Sequence, residues 1–204
     1  MNDLTQYLAV RPQIHAGDIV VFWGRGPLSW AIELMDDGPS HSAIVRQPLT
    51  DQGEDAMIIQ STIQTWDGKK VNGVQTEPLG QTIAGYGPGS AAVLLLDDAT
   101  RAKIDWFQFY QMCGASDGFV TYDIADLFQF LAREFPIFGH WVFQGETPRK
   151  LVCSAWVVAL LESCGVLTGI DYAEATPQAL VEMKIFKGWL PLLGEPKLTR
   201  FDTI

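Results

Sequence analysis

Cys153 stands at the head of an apolar run, "CSAWVVALLESC" (153–164), with Arg149 and Lys150 just upstream. A thiol at a helix N-terminus meets unpaired backbone N–H groups and the positive end of the helix dipole, and both favour the reactive thiolate. Free cysteine is more often a buried, inert small hydrophobe, so position alone leaves both readings open. A nucleophilic cysteine needs a base. His41 opens an apolar stretch, "HSAIV", after a Gly-Pro turn, where a strand end could bring an imidazole to a helix N-terminus. His15 reads as a surface residue beside a turn, and His140 lies in an aromatic loop. An imidazole base in turn needs an acceptor that orients it. Gln60, polar within "MIIQSTI", could supply a carbonyl oxygen, although an amide carries no charge to stabilise imidazolium.

The other two cysteines read as structural. Cys164 lies eleven residues along the same run. A continuous helix would hold it roughly 16 Å from Cys153, well beyond the Cα separation of about 7 Å that a disulfide tolerates. Cys113 follows a helical pattern and has no base nearby. No CxxC spacing occurs, so neither a zinc site nor a redox pair is expected. "GASDG" (114–118) fits G-x-S-x-G, but a helical pattern precedes Ser116 where the serine-hydrolase elbow needs a strand. "GRG" (24–26) lacks the remainder of a phosphate-binding loop.

The elements that would position these groups follow from periodicity. "DIVVFW" (18–23), "HSAIVRQ" (41–47), "DAMIIQSTI" (55–63), "GVQTEPL" (73–79) and "AAVLLLD" (91–97) read as strands. A short helix is predicted after Pro27, ending at Gly38. The second half reads as helices over 99–113, 123–135, 153–164 and 176–184, the first with Ile104, Phe107 and Met112 near one face. Residues 136–150 read as a long loop. Strands first and helices afterwards predict an α+β fold with an antiparallel sheet. At 204 residues, 48% of them hydrophobic, one domain spanning 1–204 is expected, with no repeat or linker.

A net charge of −10 repels phosphate backbones, so nucleic acid is a poor partner. No apolar run approaches the roughly 20 residues of a membrane span, and no basic region followed by an apolar one opens the sequence. The expectation is no stable membrane insertion, and a cytoplasmic location or delivery by another factor.

In order, "GDIVVFWGRG…SWAI", "SHSAIV", "IIQST", "YDIADL" and "VCSAWV" resemble the circularly permuted NlpC-type papain-fold cysteine peptidases and amidases, whose plan lecithin retinol acyltransferase-like enzymes share. The resemblance spans roughly residues 16–182. It implies a permuted papain-like fold in which an antiparallel sheet packs against helices and the nucleophile heads one of them. It implies Cys153 as nucleophile, His41 as base and Gln60 as the third member, with Tyr122 and Ser154 beside the substrate and Asp123 capping a helix. Some relatives carry an acidic residue where Gln60 stands. The expected activity is hydrolysis of a cell-wall peptide amide, or of a lipid-like amide or ester, through an acyl-enzyme and without metal or cofactor. A papain-like binding module without turnover and a lipid acyltransferase using the same cysteine are the alternatives. The aromatic cluster Phe128, Phe130, Phe135, Phe138, Trp141 and Phe143 reads as core or subunit contact, or as the lining of an acyl pocket.

Overall fold

Strands that are apolar at nearly every position must be covered on both faces, because alternation along a strand sends neighbouring side chains to opposite sides. The computed structural model, which describes residues 3–24, 38–86, 89–120, 153–171 and 175–198, shows this arrangement. β1 (Ile19–Trp23), β2 (His41–Gln47), β3 (Met57–Gln64), β4 (Lys70–Pro78), β5 (Ser90–Leu96) and β6 (Phe186–Leu193) form one sheet in the order β4-β3-β2-β1-β5-β6. Every neighbouring pair is antiparallel. The fold is therefore α+β with a six-stranded antiparallel sheet.

One face presents Val21, Ile44, Ile59 and Leu94 to the helix α5 (Cys153–Ser163), whose Trp156, Val157, Leu160 and Leu161 are fully buried. A helix that is apolar nearly all round has to be buried, and that is how the sequence of α5 is used. Gly165, at φ 82°, ends it in the left-handed conformation that suits glycine. The other face presents Val20, Phe22, Val45, Ile58 and Val93 to Tyr7 of α1 (Thr5–Val10) and to Leu79 and Ile83 of α2 (Leu79–Gly85).

Several expectations are corrected. The helix anticipated over 99–113 is two, α3 (Asp98–Arg101) and α4 (Trp106–Ser116), because Asp105 leaves helical geometry and caps the second one. Its carboxylate accepts from the N–H groups of Phe107 and Gln108 at 3.0 and 3.1 Å. Phe107 is consequently 67% exposed and does not share a buried face with Ile104. Ser116 ends α4 and is buried, as no serine elbow would be. The strand-then-helix order fails at the end, since β6 follows α6 (Pro177–Glu182) and returns to the sheet beside β5. β6 contains Pro191, which lacks an N–H and is tolerated because this strand lies at the sheet edge. The helix predicted after Pro27, the helix over 123–135 and the loop at 136–150 lie outside the described residues.

Asp18 ties these layers together. It is fully buried and accepts from His15 N–H at 2.7 Å and Leu96 N–H at 2.9 Å, while Arg101 Nη2 meets it at 2.5 Å. It therefore binds the start of β1 to the end of β5 and to α3. Asp18→Ala leaves Arg101 Nη2 and two backbone N–H groups without their acceptor, and should cost about 3 kcal/mol, read as a lower urea midpoint of unfolding.

Candidate active site

The polar row of the site is set by strand register. β2 pairs with β3 through Ile44↔Ile59 and Val45↔Ile58, and continuing that register sets Gln60 opposite Ala43. His41, two residues before Ala43, is then the diagonal neighbour of Gln60 on the same face, within reach of a long side chain. His41 Nε2 and Gln60 Oε1 are 2.7 Å apart. The same step repeats across the next pair. Gln60 lies opposite Gln75, and Glu77, two residues on, is its diagonal neighbour. Gln60 Nε2 donates to Glu77 Oε2, and the backbone N–H of Trp66 donates to Glu77 Oε1 at 3.1 Å.

His41 shares its side of the sheet with Phe22, whose ring centroid is 5.7 Å from its own. Helix α5 covers the opposite side. The two sides meet because His41 is the first residue of β2 and Cys153 the first of α5, so that imidazole and sulfur are hydrogen-bonded to each other. Burial works against charge on both groups, but each is the other's counter-ion. On Cys153, burial is outweighed by the His41 charge, by their hydrogen bond and by the backbone N–H groups of Ser42 and Ser154, so the thiol is held below its ordinary value. On His41, burial is outweighed by the Cys153 charge and by hydrogen bonds to Cys153 and Gln60, so the imidazole is held above its ordinary value. The pair is disposed to exist as thiolate and imidazolium.

The other cysteines contrast with this. All three are free and buried. Burial pushes the Cys113 thiol up to about 12, outweighing the opposing Arg46 charge, and raises that of Cys164. Burial alone therefore does not make Cys153 reactive; its partner does.

The structure brings together Cys153, His41 and Gln60 from three elements. Ser154, expected beside the substrate, is 2% exposed, and it is its backbone N–H that acts on the sulfur. His15 is exposed and far along the chain from this row. Tyr122, Asp123, His140, Arg149, Lys150 and the aromatic cluster at 128–143 lie outside the described residues. Sequence reading missed Glu77. It is 3% exposed, and burial pushes its carboxyl up against the hydrogen bonds from Trp66 and Gln60. A glutamate in an otherwise half-apolar strand was its only mark, and its partner lies 17 residues away across a hairpin. Ser42 Oγ and Trp156 Nε1 are buried without a hydrogen bond among the described residues.

No protein-family model matches the chain, and no curated protein matches it. Among solved structures it is similar to the crystal structure of the metalloprotein YiiX from Escherichia coli O157:H7, a DUF1105 protein. The TM-score is 0.56 at 16% identity, over 90% of this chain and 99% of that one. At this identity the likeness concerns the fold.

Iodoacetamide at about pH 6, more than two units below an ordinary thiol pKa of about 8.5, should label Cys153 and leave Cys113 and Cys164 untouched until the protein is unfolded. Peptide mapping by mass spectrometry reads this out. His41→Ala should remove the labelling at acid pH and spare that at alkaline pH.

Proposed function

We propose that this chain is a cysteine hydrolase of the permuted papain-like, NlpC-type plan, acting on an amide of a cell-wall peptide or on a lipid-like amide or ester. The observation that carries the reading is the convergence of Cys153, His41 and Gln60 at the junction of a helix N-terminus and a strand start. The chain order is His strand, then Gln strand, then Cys helix, as the permuted plan requires. Cys153 and Ser154 sit on a buried helix and His41 and Gln60 on central strands, so the geometry is held by rigid elements.

The reaction follows from the charge states. The Cys153 thiolate attacks the carbonyl carbon, forming an S–C bond and placing negative charge on the oxygen. Backbone N–H groups at the start of α5 are the donors available to that oxygen. The C–N or C–O bond then breaks, and the His41 imidazolium gives its proton to the departing amine or alcohol. Water attacks the thioester, His41 takes its proton, and the acid departs as the thiolate is restored. Gln60 keeps the ring in one orientation throughout. Transfer to an acceptor amine or alcohol in place of water would use the same steps.

YiiX is described as a metalloprotein. Among the described residues of this chain no group of three or more His, Cys, Asp or Glu side chains could hold a metal ion. Among the described residues no helix is long and apolar enough to cross a membrane.

Incubation with panels of peptide amides and of lipid amides and esters, followed by intact mass measurement, should show an acyl adduct on Cys153. Cys153→Ala should abolish turnover, and His41→Ala should lower it by about 10²–10⁴-fold. Absence of both adduct and turnover across panels that do bind would leave the binding module as the better reading. With an active substrate, kcat/KM should be bell-shaped. Its acid limb, set by the Cys153 pair, should fall below an ordinary thiol's pKa; its alkaline limb, where the imidazolium is lost, should lie above an ordinary histidine's.

A further inference from the structure

An amide can face a histidine with either end. A neutral ring can donate or accept through Nε2, so His41 does not itself decide which end of Gln60 it meets. The decision comes from behind. Glu77 accepts at both carboxylate oxygens, from Gln60 Nε2 and from Trp66 N–H at 3.1 Å. An ionised carboxylate has acceptors only. Gln60 must therefore turn its NH₂ toward Glu77 and its oxygen toward His41. That oxygen lies 2.7 Å from Nε2, which must then carry a proton. The nitrogen left for the Cys153 sulfur is Nδ1.

We propose that Glu77 is a positioning residue of this site: its carboxylate fixes the amide of Gln60, thereby fixes the tautomer of His41, and places a negative charge one amide behind the imidazolium. This deepens the hydrolase reading and rests on it. A glutamine in the third position offers orientation without charge. Gln60 backed by Glu77 offers both, with the carboxylate kept off the ring, so that it cannot take the ring's proton directly. A carboxylate only 3% exposed is seldom found without such a partner. The charged and titratable groups that act on Glu77 are His41, which favours its charge, and Asp67, which opposes it. Those that act on His41 are Cys153 and Glu77, with Gln60 bonded between.

The test is the pH profile of Cys153 alkylation by iodoacetamide, from about pH 5 to 10, bracketing an ordinary thiol. Wild type should show an acid-side plateau from the ion pair. Glu77→Gln keeps the shape of the side chain and removes its charge. It should bring in the alkaline edge of that plateau, where the imidazolium is lost, by about one pH unit, and leave the alkaline rate unchanged, where any thiol is ionised. The double variant Gln60→Glu/Glu77→Gln, which moves the carboxylate next to the ring, should restore that edge. A purely structural role would alter both ends of the profile or neither. A folded Glu77→Gln protein whose plateau keeps its alkaline edge overturns the proposal and leaves the hydrolase reading in place. A second measurement is independent of turnover and of the thiolate. In Cys153→Ala, ¹⁵N shifts of neutral His41 should place the proton on Nε2, and adding Glu77→Gln should lower the ring pKa by about one unit. A proton on Nδ1, or an unmoved pKa in a folded variant, overturns the proposal even if wild type shows no plateau. If Glu77→Gln does not fold, the tautomer in Cys153→Ala decides by itself.

Discussion

The site depends on strand register. β2, β3 and β4 are antiparallel neighbours, and two successive diagonal steps across them join His41 to Gln60 and Gln60 to Glu77. Side chains alternate along a strand, so sliding any one of these strands by a single residue would send its member to the other face of the sheet. The register is held by something unrelated to chemistry. Ile44 and Ile59 must face α5, while Val45 and Ile58 must face α1 and α2, and both faces are dry. The apolar pattern that stabilises the fold is thus what aligns the polar row, and the row needs no flexible loop to assemble it.

Burial works in one sense on the ionisable groups involved. It disfavours charge on Cys153, His41 and Glu77 alike, and would neutralise each of them if isolated. Set in order, thiolate, imidazolium, amide and carboxylate compensate one another. Replacing the row with hydrocarbon could be neutral or even stabilising, whereas removing one member leaves an uncompensated charge.

Much of this was legible in the residues themselves. β1 and β5 announce themselves because strands covered on both faces are apolar at almost every position, and β2 and β3 through their apolar stretches "AIV" and "MII". α5 is legible for the same reason, and the Thr-Pro start of α6 caps as its composition implies, with Thr176 Oγ1 accepting from Ala179 N–H at 3.0 Å. β6 was missed because glycine and proline inside "FKGWLPLL" argue against a strand, and only its edge position makes Pro191 acceptable. The break at Asp105 was missed because apolar periodicity outweighed a capping residue in plain view. The meeting of Cys153 with His41 could be anticipated only as a possibility of element ends, and the permuted plan and the activity remain a proposal built on that meeting. Glu77 was out of reach, because nothing along the chain says which residue will lie diagonal to Gln60 once a hairpin has closed.

The two inert cysteines bear on how the protein would age under oxidants. A sulfur held as thiolate is the first to react with peroxide, giving a sulfenic acid that survives only if a neighbouring thiol condenses with it. Cys164 lies on the far end of the same helix, roughly 16 Å away at 1.5 Å per residue, and Cys113 keeps its proton to about 12. Cys164 is too distant to act as a resolving partner, and Cys113 is poorly disposed to ionise for that role. Recovery of Cys153 would have to come from a small external thiol, and without one the sulfur would proceed to sulfinic acid and stay there.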